Sequence, residues 1–451
     1  MNAIGKYRIL GMLGKGGSSR VYKVLLPEID FIVALKWLWP NPFLADLMGM
    51  DRLLEMFLAE ARIMAGFRHP NLLSVWDYGI EKERPYYTME YLCDNVGLWI
   101  GEHVEVERPT RPLPVDMALR IARETLAGLA RMHAAGWIHR DIKPFNLLLT
   151  DERTVKIADF GLSAARGEKT AHHPENLKIG SPYYAAPEQE NNPAGVQFSA
   201  DLYSVGVTLY RMLTGQLPRF PLPSIETLRP ELDGTWNAFF RTSLAQHPRN
   251  RFQSAADMTE AIVELQEEWD RRKERFCRLE PEFRPDSGQK EPTETSPLRN
   301  HAQKVALSEA RTVFRLDELF RPLKRRVAEW EVLDKDLVLD CRNRLIWERS
   351  GSAYPENVSQ TLARIDRMNR RHVGGIDSWR LPTVDELITL VEPPSRFEHF
   401  CAPPVFDPLQ KRLWSSDRKS ATAFWFVSLD IGFVGWLDNT GYAYSRAVAG
   451  T

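Results

Sequence analysis

Residues 139–146 read HRDIKPFN. The stretch follows a helical pattern over 115–136, VDMALRIARETLAGLARMHAAG, which stops on Gly136, a residue suited to ending a helix. On its own, a polar loop carrying an acid, a lysine and an amide decides nothing. Four distant stretches change its meaning. DFG at 159–161 follows the strand-like TVKIA, VALK at 33–36 places Lys36 on a strand, GKGGSSRVY at 14–22 lies between two strands, and APE occupies 186–188. A lone glycine cluster marks a flexible turn as readily as a phosphate-binding loop, and the third glycine of a G-x-G-x-x-G pattern is here Ser19.

Taken in chain order, the motifs resemble those of the eukaryotic-type (Hanks-type) protein kinases, over about residues 7–270. The resemblance implies an α+β, bilobal fold with a β-rich first lobe and a helical second lobe. It also implies ATP and Mg2+ or Mn2+ as cofactors and proteins as substrates. Moving a γ-phosphoryl group asks a protein to align two oxygens and to screen negative charge. The implied nucleotide site is Leu13, Gly14, Lys15, Gly16, Gly17, Ser18, Ser19 and Val21, then Ala34 and Lys36, the hinge residues Met89, Glu90 and Leu92, and Asn146 and Asp159. Lys36 would reach the phosphates, steadied by Glu60 of EARIMAGFRHPN, with Glu55 as the rival. Asp141 would be the base, Lys143 would neutralise charge on the moving group, and Asn146 and Asp159 would hold the metal.

Other residues take structural roles under the same resemblance. Asp201 would brace the catalytic loop, Arg251 would pair with Glu188, and His139 would be packed. Met89 would be gatekeeper and core residue at once. Thr170 is the first candidate for autophosphorylation, with Ser163 and Ser181 beside it, and Arg140 would receive a phosphate there. A pseudokinase scaffold, working through its C-terminal module, is the alternative from the binding class. A small-molecule kinase is a second rival, against which GSPYYAAPE at 180–188 speaks.

Composition is that of an ordinary soluble protein: 43% hydrophobic, 26% charged and a net charge of −1 over 451 residues. No overall field favours nucleic acid or an acidic membrane surface. Four scattered cysteines form no metal or disulfide framework, and no apolar run suggests a signal peptide or a membrane span, so a cytoplasmic location is expected. The insertion PNPFLADLMGMDRLL at 40–54 reads as an extra short helix.

Texture divides the chain into 1–279, the kinase-like part; 280–330, a polar linker and basic amphipathic helix; and 331–451. The last part resembles the Lcl-type C-terminal domain, of C-type-lectin-like and formylglycine-generating-enzyme-like fold. The matching stretches are DCRNRLIWERS (340–350), SWRLPTVDELITL (378–390), LWSSD (413–417) and GYAYSRAVAG (441–450). Thr383 and Glu386 have capping-box spacing. Trp379, Trp414, Trp425 and Trp436 are expected in the core, and WLDNTG (436–441) at a turn. The resemblance implies a recognition domain for an unknown ligand or protein. A homodimer is left open.

Overall fold

Val21, Tyr22 and Val24, then Ile32, Val33 and Trp37, are β-branched or aromatic, and such side chains suit a pleated, half-buried surface. The computed structural model describes residues 2–103, 105–161, 164–165, 183–192, 195–279, 293–294, 298–392 and 403–451. It divides into two units, 1–268 and 269–451. In the first, strands β1 (Ala3–Ile4), β2 (Tyr7–Lys15), β3 (Ser19–Leu26), β4 (Phe31–Leu38), β5 (Val75–Glu81) and β6 (Arg84–Glu90) form one sheet in the order β1-β2-β3-β4-β6-β5. Lys36 pairs with Val21 on one side and Tyr87 on the other, so it stands in the interior of the sheet.

Two helices interrupt the strands. In α1 (Pro42–Met48), Asn41 Oδ1 accepts from the Leu44 amide at 2.7 Å, and Pro42 fills the first turn, where a missing N–H costs nothing. The insertion is thus helical, with Phe43 and Leu47 exposed. In α2 (Met50–Ala65), Leu53, Phe57, Ile63 and Met64 are buried, and Glu60 shares that buried face.

The second lobe is helical. β7 (Asp94–Asn95) and α3 (Val96–Ile100) lead into α4 (Val115–Ala134), which buries an apolar stripe from Val115 to Met132. Gly136 follows at φ +84°, a conformation that glycine adopts without steric cost. β8 (Trp137–Ile138) then delivers the chain to residues 139–146, and the hairpin of β9 (Leu147–Leu149) and β10 (Val155–Ile157) brings it back to DFG. β11 (Ala164–Ala165) and α5 (Pro187–Asn191) precede α6 (Ser199–Thr214), which is buried at every position. Its polar residues Asp201, Ser204, Thr208 and Arg211 recur at steps of three and four, so they share one face. α7 (Gly234–Ser243) and α8 (Ala255–Leu279) complete this part.

In the second unit, β12 (Thr293–Glu294) pairs with β13 (Arg325–Arg326), and α9 (Leu307–Val313) lies between them in sequence. A sheet of β14 (Trp330–Val332), β15 (Leu337–Asp340), β16 (Leu345–Glu348) and, later, β20 (Val448–Gly450) joins the two ends of the domain. Between them come α10 (Val358–Arg370), α11 (Val384–Ile388) and the three-stranded sheet of β17 (Arg412–Arg418), β18 (Ala423–Ser428) and β19 (Phe433–Asp438). Trp379, Trp414 and Trp425 are buried, whereas Trp436 is only partly so and lies under the Lys419 ammonium.

The basic stretch 307–330, expected as a helix of the linker, differs in the structure. It is helical only over Leu307–Val313. Val305, Ala310, Phe314 and Leu316 belong to the core of the second unit, together with Trp347, Trp425 and Val448. Its apolar side chains, not its charges, decide where it packs; full burial of each large one contributes roughly 1.5–3 kcal/mol. Among the described residues, no helix is long and apolar enough to cross a membrane.

Candidate active site

Lys36 extends from β4 toward α2, where its Nζ lies 2.6 Å from Glu60 Oε1 and 2.8 Å from Oε2. Tyr87 of β6 donates its hydroxyl to the same Oε1 at 3.0 Å. Glu55, the rival partner, is exposed and pairs with Arg52. Asp159 Oδ1 stands 3.7 Å from Lys36 Nζ. Burial works against the lysine's charge, but Glu60, Tyr87 and Asp159 outweigh it and hold the ammonium's pKa well above its ordinary value. Burial likewise pushes the Asp159 carboxyl up, but Lys36, His139, Lys143 and the Gly161 amide together more than reverse this, so it sits below its ordinary value.

The loop 139–146 is a dense polar knot. Lys143 Nζ lies 2.8 Å from Asp141 Oδ2. Asn146 Nδ2 donates to Asp141 O at 2.8 Å and to its Oδ2 at 2.9 Å, so its own Oδ1 is the atom left for a cation. The Ala158 amide donates to Asn146 O at 2.9 Å, which ties this loop to the chain entering DFG. His139, fully buried, contacts Ala158 O through Nε2 at 3.2 Å and stacks edge-on against Phe160. Arg140 and Asp159 both have positive φ, +69° and +65°, a conformation that costs a side chain-bearing residue energy and clusters at functional sites.

Asp201 accepts the amides of His139 at 2.9 Å and Arg140 at 2.8 Å, and meets His133 Nε2 at 2.8 Å. Arg251 grips Glu188 with two bonds of 2.7 and 2.8 Å. Sequence reading did not find His133, Tyr87 or Gln189, whose Nε2 donates to Arg140 O at 2.8 Å. None of the three lies in a stretch whose composition announces a partner.

The glycine-rich stretch closes β2 onto β3. Gly14 pairs with Val21 and Lys15 with Arg20, and the Gly16 amide donates to Ser19 O at 2.9 Å. Ser19 is buried and pairs with Leu38, so it belongs to the ladder, and the open positions are those before it. Leu13 is exposed, Val21 half-buried and Ala34 buried. Met89 and Glu90 are half-buried at the end of β6 opposite Ala34 and Val33, with Leu92 just beyond and Lys156 Nζ 3.1 Å from Glu90. Ser163, Thr170 and Ser181 lie outside the described residues.

Such a cleft offers one buried ammonium, one carboxylate with a lysine beside it, and two further oxygen ligands. That set suits a polyanion held with a hard cation.

A model of the protein kinase domain matches residues 7–271, and a model of the Lcl C-terminal domain matches residues 336–449. The chain is 29% identical to serine/threonine-protein kinase PrkC of Bacillus subtilis, over 56% of this chain and 39% of that protein. It is 33% identical to serine/threonine-protein kinase PksC of Streptomyces coelicolor, over 58% of this chain and 49% of that one. The solved kinase domain of PknI from Mycobacterium tuberculosis aligns with 26% identity and a TM-score of 0.45, over 58% of this chain and 96% of that one. The chain spans about two fifths of the length of PrkC.

Proposed function

This chain belongs to the protein kinase family, and we propose on that premise that it transfers the γ-phosphoryl group of ATP to serine and threonine hydroxyls of proteins. The observation that carries the reading is the convergence of Lys36, Asp141, Asn146 and Asp159 on one cleft. Lys36 Nζ is 3.7 Å from Asp159, and Asp159 follows Ala158, whose amide is bonded to Asn146 beside Asp141.

Lys36, kept charged by Glu60, holds the α- and β-phosphates. The amides around Gly14 and Gly16 close over them. Asn146 Oδ1 and an Asp159 carboxylate oxygen would hold Mg2+, whose charge would screen the transferred group. Asp141 orients the acceptor hydroxyl and takes its proton, while Lys143 offsets charge on the moving phosphoryl. Autophosphorylation, with Thr170 the preferred acceptor, belongs to the same proposal.

Residues 331–451 we read as a recognition module of C-type-lectin-like fold. Support comes from the way its motif residues are engaged: Arg380 with Glu386 inside the module, and Asp385 and Asp417 with Arg299 of the segment before it. Polar groups so committed hold a scaffold, and a ligand or partner is left to the loops between.

The test compares full chain and Asp141→Asn with labelled ATP and Mg2+. The wild type should label itself or an added protein, and the variant should be slower by about 10²-fold or more, the scale of a lost general base. Equal labelling would overturn the reading in favour of a scaffold.

A further inference from the structure

The insertion before α2 supplies no group to the cleft described above, yet it meets the tip of the glycine-rich loop. The Trp39 amide donates to Ser18 O at 2.9 Å, and the Asn41 amide donates to Gly17 O at 2.8 Å. These bonds carry the pairing of β3 with β4 beyond Ser19 and Leu38, its last ladder pair. A Cβ built on Gly17 would lie 3.5 Å from Leu44 Cδ2, so the half-buried Leu44 side chain of α1 rests against the tip.

Glycines at 14, 16 and 17 give this loop more backbone freedom than other residues would. Such a loop does not keep a set height over a ligand unless contacts from outside fix it. Trp39 and Asn41 suit that task because both are themselves anchored. The Arg20 and Arg84 guanidiniums lie against the Trp39 ring, 4.9 and 4.2 Å from its centroid, and the Trp37 ring is 4.6 Å away. Asn41 does two jobs at once. Its amide holds Gly17, while its Oδ1 accepts the Leu44 amide and caps α1, which sets the turn that carries Leu44.

Helix α1 runs into α2 through a single residue, Gly49, at φ +80°. Its amide donates to Ala45 O at 2.9 Å, and its carbonyl accepts the Leu53 amide at 3.3 Å. The loop tip and Glu60, the partner of Lys36, thus hang from one continuous stretch of chain.

We infer that Asn41 and Leu44 are positioning residues for the nucleotide phosphates: through the cap and first turn of α1 they hold the tip of the glycine-rich loop over the triphosphate. The inference rests on the kinase reading above and deepens it, because it gives the insertion at 40–54 a task on the nucleotide side of the site. A loop released at its tip keeps its sequence and loses its alignment, so the phosphates lose contact while the base does not.

The experiment measures, by calorimetry on the full chain with Mg2+, the Kd of ATP and the Kd of adenosine, which carries no phosphate. Asn41→Ala removes the cap and should raise the Kd of ATP roughly three- to tenfold, the factor to which a lost cap corresponds. Leu44→Ala removes the contact with Gly17 and should act in the same direction. Asn41→Ser restores a neutral cap and should bind ATP nearly as wild type does. Phe43→Ala, at a side chain that is 74% exposed, should match wild type. Adenosine should bind all of them equally, a split that general damage to the first lobe would not produce. Unchanged ATP affinity in Leu44→Ala would overturn the inference even if Asn41→Ala fails to fold. Equal weakening of ATP and adenosine would also overturn it, as would an Asn41→Ser variant no better than Asn41→Ala. A wild type that binds no ATP would overturn the kinase reading and this one with it.

Discussion

The ammonium of Lys36 lies 2.6 Å from Glu60 Oε1 and joins the interior of the sheet to α2. Removing it leaves a carboxylate that is 7% exposed with the Tyr87 hydroxyl still donating to it. Breaking a buried pair by deleting one partner costs about 3–5 kcal/mol. Lys36→Met is therefore expected to lower unfolding free energy by about 3 kcal/mol in urea and, on the proposed role of Lys36 as a phosphate ligand, to reduce transfer by roughly 10²-fold or more. The folded-state pKa is raised, so this stabilisation is complete below the ordinary value of 10.5 and is lost only as pH rises through the still higher folded value. Across the neutral range the stability difference should not change with pH. A slope there would contradict the assignment.

Asp201 titrates in the opposite sense. Burial pushes its carboxyl up, but the His133 hydrogen bond, the charges of His133 and His139 and the backbone amides hold it below 3.8. A depressed pKa gives stability that is full above the unfolded value and is lost as pH falls through the lower folded value. Asp201→Asn keeps one oxygen for the amides of residues 139 and 140 and loses the charge. We expect a loss of about 2–3 kcal/mol at neutral pH, with kcat reduced because Asp141 rides on the same loop. In urea titrations the gap between wild type and variant should narrow once pH drops below 3.8. A gap of constant size would place the effect in packing.

What could be read from the chain alone follows a physical rule. Asp141, Lys143 and Asn146 lie within six residues, and groups that must act on one atom often sit on one tight loop. Glu60 is separated from Glu55 by the family pattern in EARIMAGFRHPN, and the structure puts it on the buried stripe of α2. Gln189 and Arg140 are 49 positions apart, and the bond between them forms only when the segment before α6 packs on the loop that carries Asp141. No local pattern encodes that. The stretch 307–330 misled for another reason: its basic residues suggest a solvated helix face, and the core that Ala310, Phe314 and Leu316 enter is supplied by residues far along the chain, such as Trp347, Trp425 and Val448.

The same logic yields a test in the C-terminal unit, where Glu386 is fully buried and does two jobs. Its Oε1 and Oε2 accept from Arg380 at 2.6 and 2.8 Å, and Oε2 also accepts the Thr383 amide at 2.8 Å, completing the cap of α11. Glu386→Ala removes the acceptor of a partly buried guanidinium and one half of a capping box together. Cap loss costs about 1 kcal/mol, and loss of the ion pair adds more, discounted because Arg380 is one-third exposed. A total of roughly 2–3 kcal/mol is expected. Glu386→Gln keeps an oxygen for the Thr383 amide and should cost about half as much. Hydrogen exchange read peptide by peptide would locate the effect: amides of 383–391 and of 412–418, which pack together through Val384 and Asp417, should exchange faster in Glu386→Ala. Exchange there indistinguishable from wild type would mean that Arg380 and Thr383 find other partners, and that Glu386 does not hold this corner of the domain.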